Sequence, residues 1–189
     1  MTTVYFIRHA ESDRSIQDTR ERPLTAKGLA DAEKLAALFT DTAIHRIYAS
    51  PYKRAVDTVA PLAESRKLDI TRVENLRERD RDSVESMGME EKILLQWNDF
   101  SYVPMDGECY LDVQQRNLNA LRGILAENEG QTVVIGTHGI AMCTTIHFFS
   151  PIGHKQLRRI LLTMPYVTRL MFDKDRFIEI SELPLTDAR

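Results

Sequence analysis

Four short stretches of this chain hold side chains that could do chemistry. Arg8-His9 ends the apolar run Val4-Tyr5-Phe6-Ile7, and Thr137-His138-Gly139 ends another, Thr132-Val133-Val134-Ile135-Gly136. Ser50-Pro51 closes a third run, with Arg54 one turn into the helix expected to follow. The fourth is the charged stretch Leu76-Arg77-Glu78-Arg79-Asp80. Two imidazoles and two guanidiniums in one place repel each other unless an anion relieves them. Phosphate suits the set, because each guanidinium can take two of its oxygens. A neutral His9 would attack phosphorus in line and form a phosphohistidine, which water later cleaves. The neighbouring cations should lower the His9 pKa and keep the ring nucleophilic near neutrality. Arg8, Arg54 and a protonated His138 are expected to hold the equatorial oxygens as charge develops. The leaving alkoxide needs a proton, for which Glu78 is the candidate acid and Asp80 the reserve.

These residues converge only if the elements carrying them run side by side. Val4–Ile7 is apolar throughout, β-branched or aromatic, and reads as a buried strand. Ile44–Ser50 and Thr132–Gly136 read as further strands, and Asp69–Val73 as a short one. Between them lie helical patterns. Thr25 is a plausible cap for a helix with Leu29, Ala32, Leu35, Ala36 and Phe39 on one face. Ser50-Pro51 predicts a second helix, Ser as cap and Pro at its first position, with Ala55, Val59, Leu62 and Ala63 inward. A third runs from Tyr110 to Asn128, with Leu111, Leu118, Leu121, Ile124 and Leu125 facing in and Gly130 stopping it. Another continues from His138 through Phe149. Pro165–Phe172 and Arg176–Ile180 predict a hairpin around Asp173-Lys174-Asp175. Alternating strands and helices indicate an α/β, three-layer sandwich: a mostly parallel central sheet, helices on both faces and an antiparallel C-terminal edge hairpin. Parallel strands put the ends at His9, Ser50 and His138 on one side, where open α/β sheets bind ligands. Ser12–Arg22 reads as a loop over that edge. Residues 74–107, with a helix near Glu90–Phe100, read as a lid-like excursion from a single domain spanning 1–189.

Composition narrows the function. A chain of 189 residues with 43% hydrophobic content can bury a full core. Its net charge of −3 gives no reason to expect nucleic acid or an anionic membrane as partner. No apolar run approaches the ~20 residues that span a bilayer. The chain opens on a core strand with no basic leader, so no signal peptide is expected. Cys109 and Cys143 are far apart and in no metal-type spacing, which argues against a disulfide framework and for the cytoplasm.

The motifs resemble those of the histidine phosphatase superfamily, the group that includes the cofactor-dependent phosphoglycerate mutases. Arg8-His9-Ala10-Glu11-Ser12 is similar to its opening motif, with Ala10 for the usual glycine. Leu24-Thr25-Ala26-Lys27-Gly28 matches its Leu-Thr-x-x-Gly segment, and Ser50-Pro51-Tyr52-Lys53-Arg54-Ala55-Val56-Asp57-Thr58 its Ser-Pro-x-x-Arg-Ala-x-x-Thr segment. Leu76-Arg77-Glu78-Arg79 resembles the segment with the acid; Asp106-Gly107-Glu108, with Arg116 following, resembles the start of the late helix. Thr137-His138-Gly139 matches the second-histidine motif. The matches run in family order from residue 4 to residue 140. The resemblance implies that His9 is phosphorylated, that Arg8, Arg54 and His138 form the phosphate pocket and that Glu78 is the acid/base. Ser15 and Gly139 are further candidate phosphate contacts. Asp82-Ser83-Val84-Glu85-Ser86 departs from the family's Gly-x-Trp-Glu-Gly.

A metal-independent phosphomonoesterase without cofactor, acting on a small phosphorylated substrate, is therefore expected, with activity that survives EDTA. The alternatives are a mutase returning the phosphoryl group to another hydroxyl, and a non-catalytic phospho-ligand binding module. Mutases of this family tend to be longer, and a binding module would have lost a pocket residue. His45, His147 and His154 are expected to be structural, and Trp97, Phe100 and Tyr102 to line a specificity pocket or pack the excursion onto the body.

Overall fold

The structure, a computed structural model, describes residues 1–80, 88–103 and 107–185. In chain order the elements are β1 (Thr2–Arg8), α1 (Ala26–Leu38), β2 (Arg46–Ala49), α2 (Lys53–Arg66), β3 (Ile70–Arg72), a 3-10 turn (Glu74–Leu76), α3 (Met89–Asn98), α4 (Tyr110–Glu127), β4 (Thr132–Thr137), α5 (Gly139–Phe149), α6 (His154–Leu162), β5 (Tyr166–Asp173) and β6 (Arg176–Leu183). The strands form a six-stranded sheet in the order β3-β2-β4-β1-β5-β6. β3, β2, β4 and β1 are parallel, and β5 and β6 run antiparallel.

A strand covered on both faces has no polar side, and β1 shows why its sequence is apolar without alternation. Val4 and Phe6 join the core formed with α4, α5 and α6. Tyr5 and Ile7 point the other way, into the core formed with α1 and α2. The sheet is thus the middle of three layers. Residues 88–103 dock on the α4–α5 side. Trp97 is buried against Phe100, Tyr110 and His147, and its indole N–H donates to the Ile152 carbonyl at 3.3 Å. Among the described residues no helix is long and apolar enough to cross a membrane.

Several local expectations change. Thr25 caps α1 as read, accepting from the Gly28 N–H. Leu29, expected inward, is 53% exposed. At about 100° per residue, Gly28, Ala32, Leu35 and Phe39 line up on the buried face and Leu29 stands to its side. Leu111 is set off the buried face of α4 in the same way. α2 begins at Lys53 with Tyr52 in the cap position, so Ser50 is not its cap. The Ser50 hydroxyl accepts from the Tyr52 N–H and bonds His138 instead. α6 has no counterpart among the helices that the sequence predicts. Asp82 to Ser86, Met87 and Asp106 lie outside the described residues. Both cysteines are buried and free; Cys109 caps α4 by accepting from the Asp112 N–H.

Candidate active site

The carboxyl ends of β1, β2 and β4 meet on one side of the sheet, held in step by the His9 N–H on the Thr137 carbonyl and the Ser50 N–H on the Gly136 carbonyl. A cavity of about 400 Å³ opens there, lined by Arg8, His9, Ser12, Arg14, Thr19, Arg22, Tyr52, Arg54, Glu78, Arg79 and Asp80. The nucleophile, two arginines and the acid inferred from sequence therefore share one wall system.

His9 is buried, and its Nδ1 lies 2.7 Å from the Ala10 carbonyl. A carbonyl only accepts, so Nδ1 carries the proton and Nε2 keeps its lone pair. Desolvation, with Arg54 and Arg8 close by, holds the ring well below the usual imidazole pKa. The segment is pinned from behind. Thr58 accepts from the Ala10 N–H at 2.9 Å and donates to the Arg54 carbonyl at 2.7 Å, joining the loop that carries His9 to the first turn of α2. Thr58 belongs to a motif in the sequence, but its hydroxyl role appears only in three dimensions.

Arg8 is buried, and burial lowers its pKa against the opposing pull of Glu78. Its NH1 donates to the Ile160 carbonyl at 2.6 Å and the Thr163 carbonyl at 3.1 Å, around the C-terminal end of α6. Such carbonyls, the negative end of a helix, suit a cation. Arg54 donates to the Thr19 carbonyl at 2.5 Å and lies over the Tyr52 ring at 4.9 Å.

His138 departs from expectation. It is fully buried behind the cavity wall, 5.3 Å between ring centroids from His9 and 5.0 Å from Tyr52. Its Nε2 bonds the Ser50 hydroxyl at 2.8 Å, and its Nδ1 has no hydrogen-bond partner among the described residues. Desolvation, then Arg54, His9 and Arg8, depress its pKa well below the ordinary value. The expected protonated His138 is therefore neutral in this arrangement. A buried imidazole facing two guanidiniums takes up a proton only when an anion offsets the added charge.

The Glu78 carboxylate accepts from the Ile140 and Ala141 N–H groups in the first turn of α5, at 3.3 and 3.2 Å, and from its neighbour Arg79 N–H at 3.0 Å. Arg116, on α4, fixes the segment that carries it. Its guanidinium meets Glu108 through Nε and NH2, at 2.7 and 2.8 Å, and donates to the carbonyls of Asn75, Arg77 and Glu78. Burial pushes the Glu108 pKa up, but the hydrogen bonds and charge of Arg116, the Asp80 N–H and the Arg77 charge together outweigh it and hold the carboxyl low. Asp80, the reserve acid, also lines the cavity and pairs with Arg77 at 3.2 Å.

Two expected phosphate contacts fall elsewhere. Ser15 is exposed, its hydroxyl donates to Asp13 at 2.7 Å, and it does not line the cavity. An Asx-type turn closes on Asp13 and draws Ser15 out. Gly139 packs behind Arg8: a Cβ there would stand 2.7 Å from the Leu161 side chain and 3.3 Å from Arg8 Nε. Arg14, Tyr52 and Arg79 line the cavity without having been singled out, because arginines in charge-rich stretches look like solvated surface in a sequence. His45, His147 and His154 are structural, bonding the Thr132 N–H, the Ile152 N–H and Asn98. Among the described residues no group of three or more His, Cys, Asp and Glu side chains could hold a metal ion.

A mostly parallel α/β sheet that brings Arg8, His9, Arg54 and Glu78 to one cavity beyond its strand ends, with His138 buried behind it, defines a phosphoryl-transfer class of site. Comparison with known proteins makes the assignment specific. The sequence profile of the histidine phosphatase superfamily (branch 1) matches residues 4–181, and the chain belongs to that superfamily. It is 28% identical over 191 residues to a probable phosphoglycerate mutase GpmB of Enterobacter sp. (strain 638), covering 94% of this chain and 88% of the relative. It is 26% identical over 181 residues to the uncharacterized phosphatase PhoE of Bacillus subtilis (strain 168), covering 94% and 92%. Among solved structures, Bacillus stearothermophilus YhfR superposes with a TM-score of 0.77 at 30% identity, covering 94% of this chain and 95% of that one. Members of the superfamily are phosphoryl-transfer enzymes.

Proposed function

We propose that this protein is a phosphomonoesterase working through a phosphohistidine on His9. The observation that carries the reading is the His9 ring, its Nδ1–H spent on the Ala10 carbonyl and its Nε2 left nucleophilic between Arg8 and Arg54. The Nε2 lone pair attacks phosphorus while the bond to the ester oxygen breaks, its electron pair going to that oxygen. The acid form of Glu78 protonates the departing alkoxide. Water then attacks the phosphohistidine, Glu78 takes its proton, and the P–N electrons return to Nε2. Arg8 and Arg54 neutralise the equatorial oxygens throughout, and His138, once an anion is present, adds a donor from behind. The reaction uses no metal or cofactor and is placed in the cytoplasm, on a small phosphorylated substrate.

His9→Ala should abolish release of p-nitrophenol from p-nitrophenyl phosphate, and acid-labile label should be lost from the protein. Undiminished turnover in that variant would overturn the nucleophile assignment. A mutase reading is favoured by the naming of the GpmB relatives. Isomerisation of phosphoglycerate on adding a bisphosphate, with no free phosphate, would establish it in place of hydrolysis.

A further inference from the structure

A second opening adjoins the first. Ile93 and Leu94 of α3 form one wall and Leu157, Leu161 and Leu162 of α6 the other, enclosing about 760 Å³. Cavities of roughly 300–1,000 Å³ are the size that takes up small organic ligands. Leu162 is 70% exposed, a large apolar side chain facing no core. The rim is charged, with Arg158 on α6 paired to Glu90 on α3 at 3.5 Å.

Two observations tie this groove to the phosphate cavity. Arg14 lines both, and its positive charge is felt by Arg8 and His9 alike. A cation placed there adds repulsion that only an anion at the junction relieves. α6 also belongs to both, since the Ile160 and Thr163 carbonyls hold Arg8 while Leu161 and Leu162 face the groove. A molecule with its phosphate at His9 thus meets Arg14 at the threshold, and beyond it a groove with an isoleucine and four leucines in its walls and His154, Lys155 and Arg159 also along it.

We propose that the alcohol half of the substrate carries an extended apolar arm, laid between α3 and α6. The substrate class is a monophosphate ester of a long-chain or aryl-substituted alcohol, in place of a compact sugar phosphate. The inference rests on the phosphomonoesterase reading, and the experiment separates the two.

The probes are ethyl, butyl, hexyl and octyl phosphate, kept below micelle-forming concentrations. Their leaving groups are nearly equal in acidity, so differences in kcat/KM report burial of the chain. Octyl phosphate should exceed ethyl phosphate roughly a hundredfold, well inside the limit set by full burial of six methylenes. Leu162→Asp, at an exposed position, should bring that ratio below about tenfold, and Leu94→Asp should do the same from the facing wall. Phosphate release with a flat chain-length profile, or a ratio untouched by both substitutions, would overturn the apolar-arm proposal and leave the hydrolase reading standing. No release from any ester, p-nitrophenyl phosphate included, would overturn both.

Discussion

His9 and His138 lie 5.3 Å apart between ring centroids, yet burial assigns them different work. His9 borders the cavity with one nitrogen committed, and His138 lies wholly behind it with Nδ1 unpartnered among the described residues. Because its pKa is depressed, His9, the proposed nucleophile, stays neutral well below the ordinary imidazole range. The acid limb of kcat/KM should therefore fall below pH 6.5, the ordinary imidazole value, as a pH–rate profile on p-nitrophenyl phosphate would show. Replacing Arg54 with Met removes one of the cations that depress it and should shift that limb upward while lowering kcat/KM. Thr58 offers a test of positioning. Thr58→Val keeps the shape but leaves the buried Ala10 N–H without its acceptor, costing about 1–3 kcal/mol. Chemical denaturation should show that loss, together with a fall in kcat.

At the scale of elements, one side chain on α4 organises the segment that carries Glu78, the proposed acid. Arg116 grips Glu108 with two hydrogen bonds and three carbonyls of the segment that ends at Glu78. Arg116→Lys retains the charge but cannot supply the planar fork. It should lower kcat by up to about a hundredfold, the scale of a small misplacement of a catalytic group, with KM little changed. Gly28 is a comparable fixture, since a Cβ there would stand 2.1 Å from the Glu11 carbonyl oxygen. Gly28→Ala should markedly lower the melting temperature by forcing α1 off the loop that follows β1. Much of this level is legible in sequence: the strands read over Val4–Ile7, Ile44–Ser50 and Thr132–Gly136 lie within a residue or two of β1, β2 and β4, and the Thr25 cap and the hairpin follow from turn residues. α6 is not. Its sequence, His154 to Leu162, mixes four basic residues with a narrow buried stripe, Leu157 and Ile160, so over nine residues the charges mask the apolar face. The inward placement of His138 was hidden too, because a strand end reveals which edge a residue reaches, not whether its neighbours leave it a view of the cavity.

For the molecule as a whole, the two depressed histidines couple folding to pH. The native state holds both rings neutral, whereas the unfolded chain protonates them at about 6.5. The unfolded state thus binds more protons in mild acid, so this stability is complete above about pH 6.5 and is lost progressively as pH falls toward the native pKa values. Thermal melts between pH 8 and pH 5 should show a declining melting temperature, with a shallower decline in His138→Gln.

The position of β1 within the sheet has a consequence for biosynthesis. β1 lies between β4 and β5, pairing Thr3 with Thr132 and Tyr5 with Arg169, so its partners are made well over a hundred residues after it. Contacts of such sequence separation give a high contact order, and closing them is slow compared with forming local helices. His9 sits at the end of that strand, and Arg8 waits for the Ile160 and Thr163 carbonyls. The proposed reactive centre is therefore assembled only after the chain has been synthesised through β5, and a nascent or truncated chain ending before β5 carries His9 without the surroundings that lower its pKa.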